Sequence, residues 1–510
     1  MPIVQQNSIN TNALSVPNLY VQVVAPQPQL NGVPTNILGV VGTATWGPVN
    51  SPTVASGPSD TAIQFGPMQA RKYDLGTAVY TASLQGASNF KLIRVTDGTD
   101  AAASGTLGTG TGITFTAKYT GTLGNSITVV VGSGTNSVSG TVTYKLTVNL
   151  PGQLSEVYDN IGGTGNALYV AMAAAINSGL SGLRGPSQYL VATAGSGTTA
   201  PTNPSTVTLS GGTDDTGTIT SAVLVGVDTV PRKGMYALRG TGVSVIMLAD
   251  ADDTTQWTLQ NAYGLGEGAY MVTASPAGDT ISNFSTTLAT AGIDSYALKA
   301  IFGDWCYIND TVNGGITRLV SPQGFIAGKL AALSPEQSAL NKPLQGIIAT
   351  QKTYAKQQYS DAELAAIVAA RGEVIANPSP GGTYYSARLG VNASSNASIN
   401  GDNYPRLTNF IAATLNAGMG LYIGQLQTPN VQASAKATLD NFLQNMFQQR
   451  MIQDWKVILD ATNNPQSRVS LGYMQADVKV VYLSVIRYML INLEGSQTTV
   501  IVRNTSPNFQ

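Results

Sequence analysis

The sequence predicts a multidomain α/β (α+β) protein: discontinuous α/β core domains, an inserted β-rich domain, and extended strand arms at the N- and C-termini. Three observations predict it. Short apolar runs bounded by Gly and Pro alternate with helical patterns over residues 32–100, and the same alternation resumes at Val223. Between them, residues 101–213 hold five charged side chains (Lys118, Lys145, Glu156, Asp159, Arg184) in a Gly-, Thr- and Ser-rich background. Each end carries a short β-branched run isolated by turn residues. The expected division is an N-terminal arm over 1–25, a middle α/β domain built from 26–100 plus 214–380, and the inserted domain over 101–213. A C-terminal α/β domain over 381–494 and a C-terminal arm over 495–510 complete it.

Taken in order, residues 1–18 are polar and turn-rich, and "LYVQVV" (Leu19–Val24) reads as a short strand. "TNILGVVGTA" reads as a buried strand whose Gly39 and Gly42 permit close backbone approach. A helix around "LGTAVYTASLQ" and a strand "NFKLIRV" follow. In the insertion, Val142, Tyr144, Leu146, Val148 and Leu150 alternate, as in a half-exposed antiparallel strand, with Ile127–Val131 as its neighbour. "NALYVAMAAAINSG" is a helix. "VSVIMLAD" and "AYMVTASP" are buried strands, and "SPEQSALNKPLQGI" is a loop with short helical turns. Ser360, with Glu363 three residues on, forms a capping box opening a helix over 360–372. Leu407, Phe410, Ile411 and Leu415, then Leu439, Phe442, Leu443, Met446 and Phe447, keep helical spacing. "WKVIL" and a long final strand, Val480 to Leu493, close the C-terminal domain. Beyond Gly495-Ser496, Thr498–Arg503 is a strand that needs a partner sheet, in this molecule or another.

Composition narrows the function. Charged residues are 10% of the chain, against about 25% in an average protein, while 43% is apolar. This describes a globular protein with a Ser/Thr/Asn/Gln/Gly surface, one that loses little when a partner desolvates it. The first charged side chain is Asp60 and the first basic one Arg71, so the N-terminal region is suited to lie against protein. A net charge of −1 speaks against nucleic acid as a partner. No apolar run approaches the roughly 18 residues of a membrane helix, and the N-terminus lacks the basic and apolar regions of a signal peptide. With no histidine and one cysteine, Cys306, the commonest general base, His-ligated metals, intramolecular disulfides and thiolate clusters are excluded.

The remaining motifs weigh against catalysis. "GLGEGAY" (Gly264–Tyr270) and "GMGLYIG" (Gly418–Gly424) lack the spacing and context of a dinucleotide loop and read as turn glycines. Asp250, Asp252 and Asp253 end a strand in a pattern open to a divalent cation or to helix capping, with the central Gly and bidentate Glu of a full calcium loop missing. Asp214-Asp215 reads as turn chemistry. No catalytic residue, cofactor or metal ligand is nominated, and the expectation is a protein that is not an enzyme.

Several stretches resemble the contractile tail sheath proteins of bacteriophages. "SVPNLYVQVV" and "NILGVVGTATWGPVNSPTVASGPSDTAIQFGP" place Pro17–Val21, Val41–Pro52 and Phe65–Gly66 where that family has its "PGVYV" strand, its "FVG.A..GP.N.P" strand-turn and its "FG". "YTGTLGNSITVVV" is similar to the family's entry into a variable domain, and "YALKAIFGDWCYINDTVNGGITRLVSPQGFIAGKLA" to its "PPSG.vAG" block, here with "SPQG". "NYPRLTNFIAATL" matches its Arg-containing helix, with Pro405-Arg406 where the family pairs arginines. The order holds through most of the chain.

The resemblance implies a structural subunit that polymerises with itself as stacked hexameric rings around an inner tail tube. It implies a C-terminal domain that faces the tube, an insertion that decorates the outside, and contraction that drives the tube through a host envelope. It implies partners in the tube, baseplate and tail terminator proteins, no membrane insertion, and a place in the virion tail after assembly in the bacterial cytoplasm. It also implies arms that donate strands between subunits: Leu19, Tyr20, Val21 and Val23 at one end, Thr499, Val500, Ile501 and Val502 at the other, with Gly495 and Ser496 as hinge. The sheath of a bacteriocin-like or secretion-type injection system is the alternative, and a β-rich adhesin or depolymerase is a more distant one.

Overall fold

The computed structural model describes residues 3–6, 20–23, 30–491 and 493, apart from 109–110, 137–141, 181, 183 and 216–218. Its centre is a seven-stranded sheet in the order Gly372–Glu373, Leu298–Ile301, Tyr270–Ala274, Val245–Leu248, Leu38–Gly42, Phe90–Arg94, Thr53–Ala55. All neighbours are parallel except the antiparallel edge strand Thr53–Ala55. Strands buried on both faces carry near-continuous apolar runs, and this sheet obeys the rule. Val40 and Met247 point into one core, with the helices Leu75–Ser83 and Gln323–Ala332. Val41, Ile246 and Leu248 point into the other, which holds Trp257 and Phe284 from the helices Trp257–Glu267 and Ile281–Thr290.

The helix Leu75–Ser83 starts where the Asp74 carboxylate accepts the Thr77 N–H at 2.8 Å. The capping box forms as expected: Ser360 and Glu363 exchange bonds at the head of Asp361–Ala369.

After Arg94 the chain leaves the sheet. It builds a four-stranded antiparallel sheet (Glu156–Ile161, Tyr144–Asn149, Thr128–Ser133, Ser205–Thr208), a three-stranded one (Leu190–Ala194, Ile113–Ala117, Ser104–Leu107) and the helix Asn166–Ser178. Tyr144, Leu146 and Val148 are buried and their alternates half-buried, with Val129 opposite Val148. Val142, expected on the same face, is exposed because the strand begins only at Tyr144. The core's Trp46 enters this unit and meets Tyr119 edge-on, ring centres 5.2 Å apart.

Three expectations are corrected. The final strand ends at Tyr482, because its neighbour Ile452–Ile458 ends opposite it with the pair Ile452 and Tyr482; residues 483–491 meet no strand among the described residues and adopt no regular structure. Within the polar stretch 1–18, Ile3–Gln6 is a strand, paired in parallel with Tyr20–Val23. The glycines of "GLGEGAY" are helical at Gly264 and Gly266, and Gly268 closes that helix in the left-handed conformation (φ +64°) that glycine adopts without steric cost. Among the described residues no helix is long and apolar enough to cross a membrane.

Candidate assembly surface

In a doubly wound sheet, ligands favour the crevice beyond the carboxyl ends of the strands where strand order reverses. Here that point lies beside Leu38–Gly42 and Val245–Leu248, and it is filled. Asp250, Ser321, Gln323 and Thr77 close it to a cavity of about 10 Å³. The three acids of "LADADD" diverge. Burial pushes Asp250 up to about 6 against the opposing Ser321 N–H, which it accepts at 3.0 Å. Asp252 pairs with Lys72 at 2.8 Å, and Asp253 caps the turn before Trp257 through the Thr255 N–H. Cys306 is buried in the strand Cys306–Asp310, which pushes its thiol up.

The open chemistry of the molecule lies in its C-terminal part. The helices Asn403–Met419 and Pro429–Gln448 pack Leu407, Ile411, Leu439, Phe442, Leu443 and Met446 together with Ile452 and Val457. Against them lies a two-stranded antiparallel sheet, Ile452–Ile458 with Asp477–Tyr482. Its inner face pairs Trp455 with Val480 and Val457 with Val478; its outer face pairs Lys456 with Lys479 and Asp454 with Val481. Among the described residues neither strand has a second neighbour. Such edges present unpaired N–H and C=O groups and act as templates for further strands.

Described segments from both halves of the chain, residues 30–33 and 483–487, meet this unit at opposite ends of the helix Asn403–Met419. At its N-terminal end, Asn403 Nδ2 donates to Leu483 O at 3.3 Å, and Arg487 donates to Asn400 Oδ1 at 2.8 Å and Gly390 O at 3.3 Å. Between these anchors and beyond them the chain is apolar and uncovered: Ile486, Tyr488, Met489, Leu490, Ile491 and Leu493 are 72–92% exposed. Grooves of about 1000 and 850 Å³ flank residues 483–489. At the other end of the helix, the segment that leads to the N-terminal strands is strapped down. Val33 N–H donates to Thr414 Oγ1 at 3.2 Å. Gly32 and Gly418 allow contact where a Cβ would meet Phe410 at 2.6 Å and Leu30 at 1.8 Å. Residues 403 and 418 are about 22 Å apart along the helix at about 1.5 Å per residue.

A buried ionic group fixes that helix to the core. Lys299 Nζ donates to Asp402 Oδ1 (2.7 Å), Glu373 Oε2 (2.9 Å) and Val391 O (2.9 Å), and all three charged side chains are fully buried. Asp402 also accepts the hydroxyls of Tyr270 (2.9 Å) and Ser338 (3.1 Å). Glu373 accepts the backbone N–H groups of Val374, Arg388, Leu389 and Gly390 at 2.8–3.0 Å. Burial works against the Lys299 charge, yet Asp402 and Glu373 hold its pKa above the ordinary value. One turn on, Arg406 donates to the carbonyls of Leu333, Ser334 and Gln337. Isolated charges do not signal such a network in sequence, because Tyr270, Lys299, Ser338, Glu373, Val391 and Asp402 come from separate segments.

Of the arm residues, Tyr20, Val21 and Val23 lie in the strand Tyr20–Val23. Leu19, Gly495, Ser496, Thr499, Val500, Ile501 and Val502 lie outside the described residues. The exposed residues Ile486, Tyr488, Met489, Leu490, Ile491 and Leu493 were not singled out as a surface from sequence, where their pattern reads as a buried strand.

No family model matches the chain, and no curated protein does. Solved structures do. The sheath tail protein of Desulfitobacterium hafniense aligns with a TM-score of 0.57 at 15% identity, covering 87% of this chain and 94% of its own. The sheath tail protein Lin1278 of Listeria innocua gives 0.60 at 15%, covering 89% and 96%. The sheath of the extracellular contractile injection system PVC, in its contracted state, gives 0.54 at 10%, covering 96% and 99%. The fold is therefore that of contractile sheath proteins, shared along nearly the whole chain, and the multidomain α/β architecture expected from sequence is the one found.

Proposed function

We propose that this chain is the structural subunit of a contractile tail sheath, a protein without catalytic chemistry that polymerises with itself around an inner tube. The supporting observation is the conjunction of a sheath fold over at least 87% of the chain with a two-stranded sheet that, among the described residues, is open at both edges. In this reading the division into an inner domain over 381–494, a middle domain and an outer domain over 101–213 holds. The arms around Leu19–Val23 and Thr499–Val502 add strands to the Ile452–Ile458/Asp477–Tyr482 sheet of neighbouring copies, with Gly495-Ser496 as the pivot. A donated strand of about six residues forms several main-chain hydrogen bonds, each worth about 0.5–1.5 kcal/mol net. A heterologous contact that does not close produces a helical array. The stretch 486–493 is then covered in the assembly, which accounts for its apolar composition.

The tube, baseplate and terminator proteins are the further partners in this reading, and the work comes from an extended lattice relaxing to a wider one. The phage sheath family that the sequence resembles favours a virion tail, assembled in the host cytoplasm and used for genome ejection.

Negative-stain microscopy of the purified chain tests the proposal: hollow tubes or stacked rings are expected, and only discrete monomers or trimers would overturn it. Removing residues 495–510 is expected to leave a folded, soluble subunit that no longer polymerises; normal assembly of the truncated chain would remove strand donation from the account.

A further inference from the structure

The insertion is mounted on the core where two segments cross, residues 95–101 leaving and 213–215 returning. Ala101 and Thr213 exchange both backbone bonds, at 3.2 and 3.1 Å. Asp214 pairs with Arg71 at 2.9 Å and accepts the Thr122 N–H at 2.8 Å, so this residue of the Asp-Asp pair ties core to insertion rather than merely shaping a turn. The neighbouring Asp215 reaches across to the outgoing segment: Oδ2 accepts the Asp97 N–H at 3.0 Å and Oδ1 lies 3.0 Å from Thr99 Oγ1. The same Thr99 hydroxyl lies 2.8 Å from Asp97 Oδ1, while the buried Asp97 Oδ2 has no donor among the described residues.

Counting protons shows the arrangement is one short. A threonine hydroxyl has a single hydrogen, and two carboxylate oxygens lie within bonding distance of it. If both carboxyls are ionised, one short contact sets lone pair against lone pair and two negative charges face each other. A proton on Asp215 Oδ1 repairs both faults. It donates to Thr99 Oγ1, and the Thr99 hydroxyl donates onward to Asp97 Oδ1, which gives a continuous chain of donors.

We propose that Asp97, Thr99 and Asp215 form a proton-operated latch at the root of the outer domain, closed when the pair holds one proton and loosened when it loses it. Burial and the adjacent Asp97 carboxyl push Asp215 up to about 6, while the Thr99 N–H holds Asp97 below the ordinary range. Because the folded pKa of Asp215 is raised, the contribution is fully present below the unfolded value near 3.9 and is lost as pH rises through about 6. The surrounding charges do not replace the proton. Arg94 donates to Gly47 O and Thr120 O and faces Asp100 at 3.6 Å, and Arg71 is held by Asp214 and Asp74. Asp100 adds a further negative charge toward Asp215.

Hydrogen exchange of the Asp97, Ala101 and Thr213 amides, corrected for intrinsic rates, tests the latch on the full-length chain. Protection is expected to fall about tenfold between pH 5 and pH 7.5, as the loss of one pKa unit's worth of interaction requires. Asp215→Asn places a permanent N–H donor beside Thr99 and is expected to keep protection high at both pH values. Flat protection in the unaltered protein, or an Asp215→Asn profile that follows it, would overturn the proposal.

Discussion

In the insertion, the outer edge of the strand Leu190–Ala194 is met by a side chain: Asn177 Nδ2 donates to Ala192 O at 2.7 Å, and Asn177 Oδ1 accepts the Ala192 N–H at 2.9 Å. In the C-terminal unit, Asp454 accepts the Trp455 N–H at 2.8 Å and Asn463 Nδ2 donates to Ile458 O at 2.7 Å, but among the described residues no third strand lies beside Ile452–Ile458 or Asp477–Tyr482, and an apolar stretch runs on exposed beside them. Both regions are antiparallel and β-branched, so strand chemistry does not separate them. What separates them is the treatment of the edge. An amide placed as a false strand ends a sheet, and a bare edge invites a neighbour. In the proposed reading, that difference separates a face offered to other copies from a face withheld from them.

The comparison rests first on the joint that holds the open unit to the closed core. Asp402→Ala leaves Lys299 facing Glu373 alone and strips Tyr270 and Ser338 of their acceptor. Breaking a buried ion group by removing one partner costs about 3–5 kcal/mol. Chemical denaturation followed by far-UV circular dichroism is expected to show a loss of that size. A loss below about 1 kcal/mol would mean that the C-terminal unit does not depend on this anchor.

A smaller effect is expected inside the closed core. Asp250 is half-buried and desolvation raises its pKa to about 6, so its ionisation weakens the folded state as pH rises from about 4 through 6. Asp250→Asn keeps an acceptor for the Ser321 N–H and suits the positive φ of 50° at this position. Stability at pH 7.5 is expected to rise by on the order of 1–3 kcal/mol, with the slope over pH 4–6 reduced. Thermal unfolding at several pH values measures it. An unchanged slope would place the titration elsewhere.

Sequence carried much of this, for physical reasons that differ by region. The parallel strands were legible because burial on both faces demands unbroken apolar runs such as "ILGVV". The helices Asn403–Met419 and Pro429–Gln448 were legible from 3.6-residue spacing. The run Val480 to Leu493 was not, since an apolar run reads the same whether or not it finds a place in the molecule's own core. The Lys299–Glu373–Asp402 group and the Asn177 edge cover were invisible for another reason: each joins residues distant in sequence whose identities are ordinary taken singly.

The edge itself can then be altered from both sides. Asn177→Ala removes two hydrogen bonds to Ala192 and is expected to cost about 1–2 kcal/mol of subunit stability. It also bares an edge in the insertion, so light scattering is expected to show new association that grows with concentration. Stability loss without association would mean that the fold around Leu190–Ala194 protects the edge by other means.

The converse change is the smallest in stability. Val481 is 51% exposed and lies opposite Asp454 on the outer face of the C-terminal sheet. Val481→Asp sets two carboxylates across from one another on a surface with little to lose, and a surface substitution of this kind shifts the subunit's stability by about 0.5 kcal/mol. In solution the isolated chain is thus expected to unfold almost as before. In assembly the change matters far more, because an added strand or neighbouring subunit would bury that face and leave a charge without water or partner. Electron microscopy paired with the unfolding curve separates the two: an intact subunit that forms no tubes assigns the face to the lattice, and tubes formed at normal yield remove it from the interface.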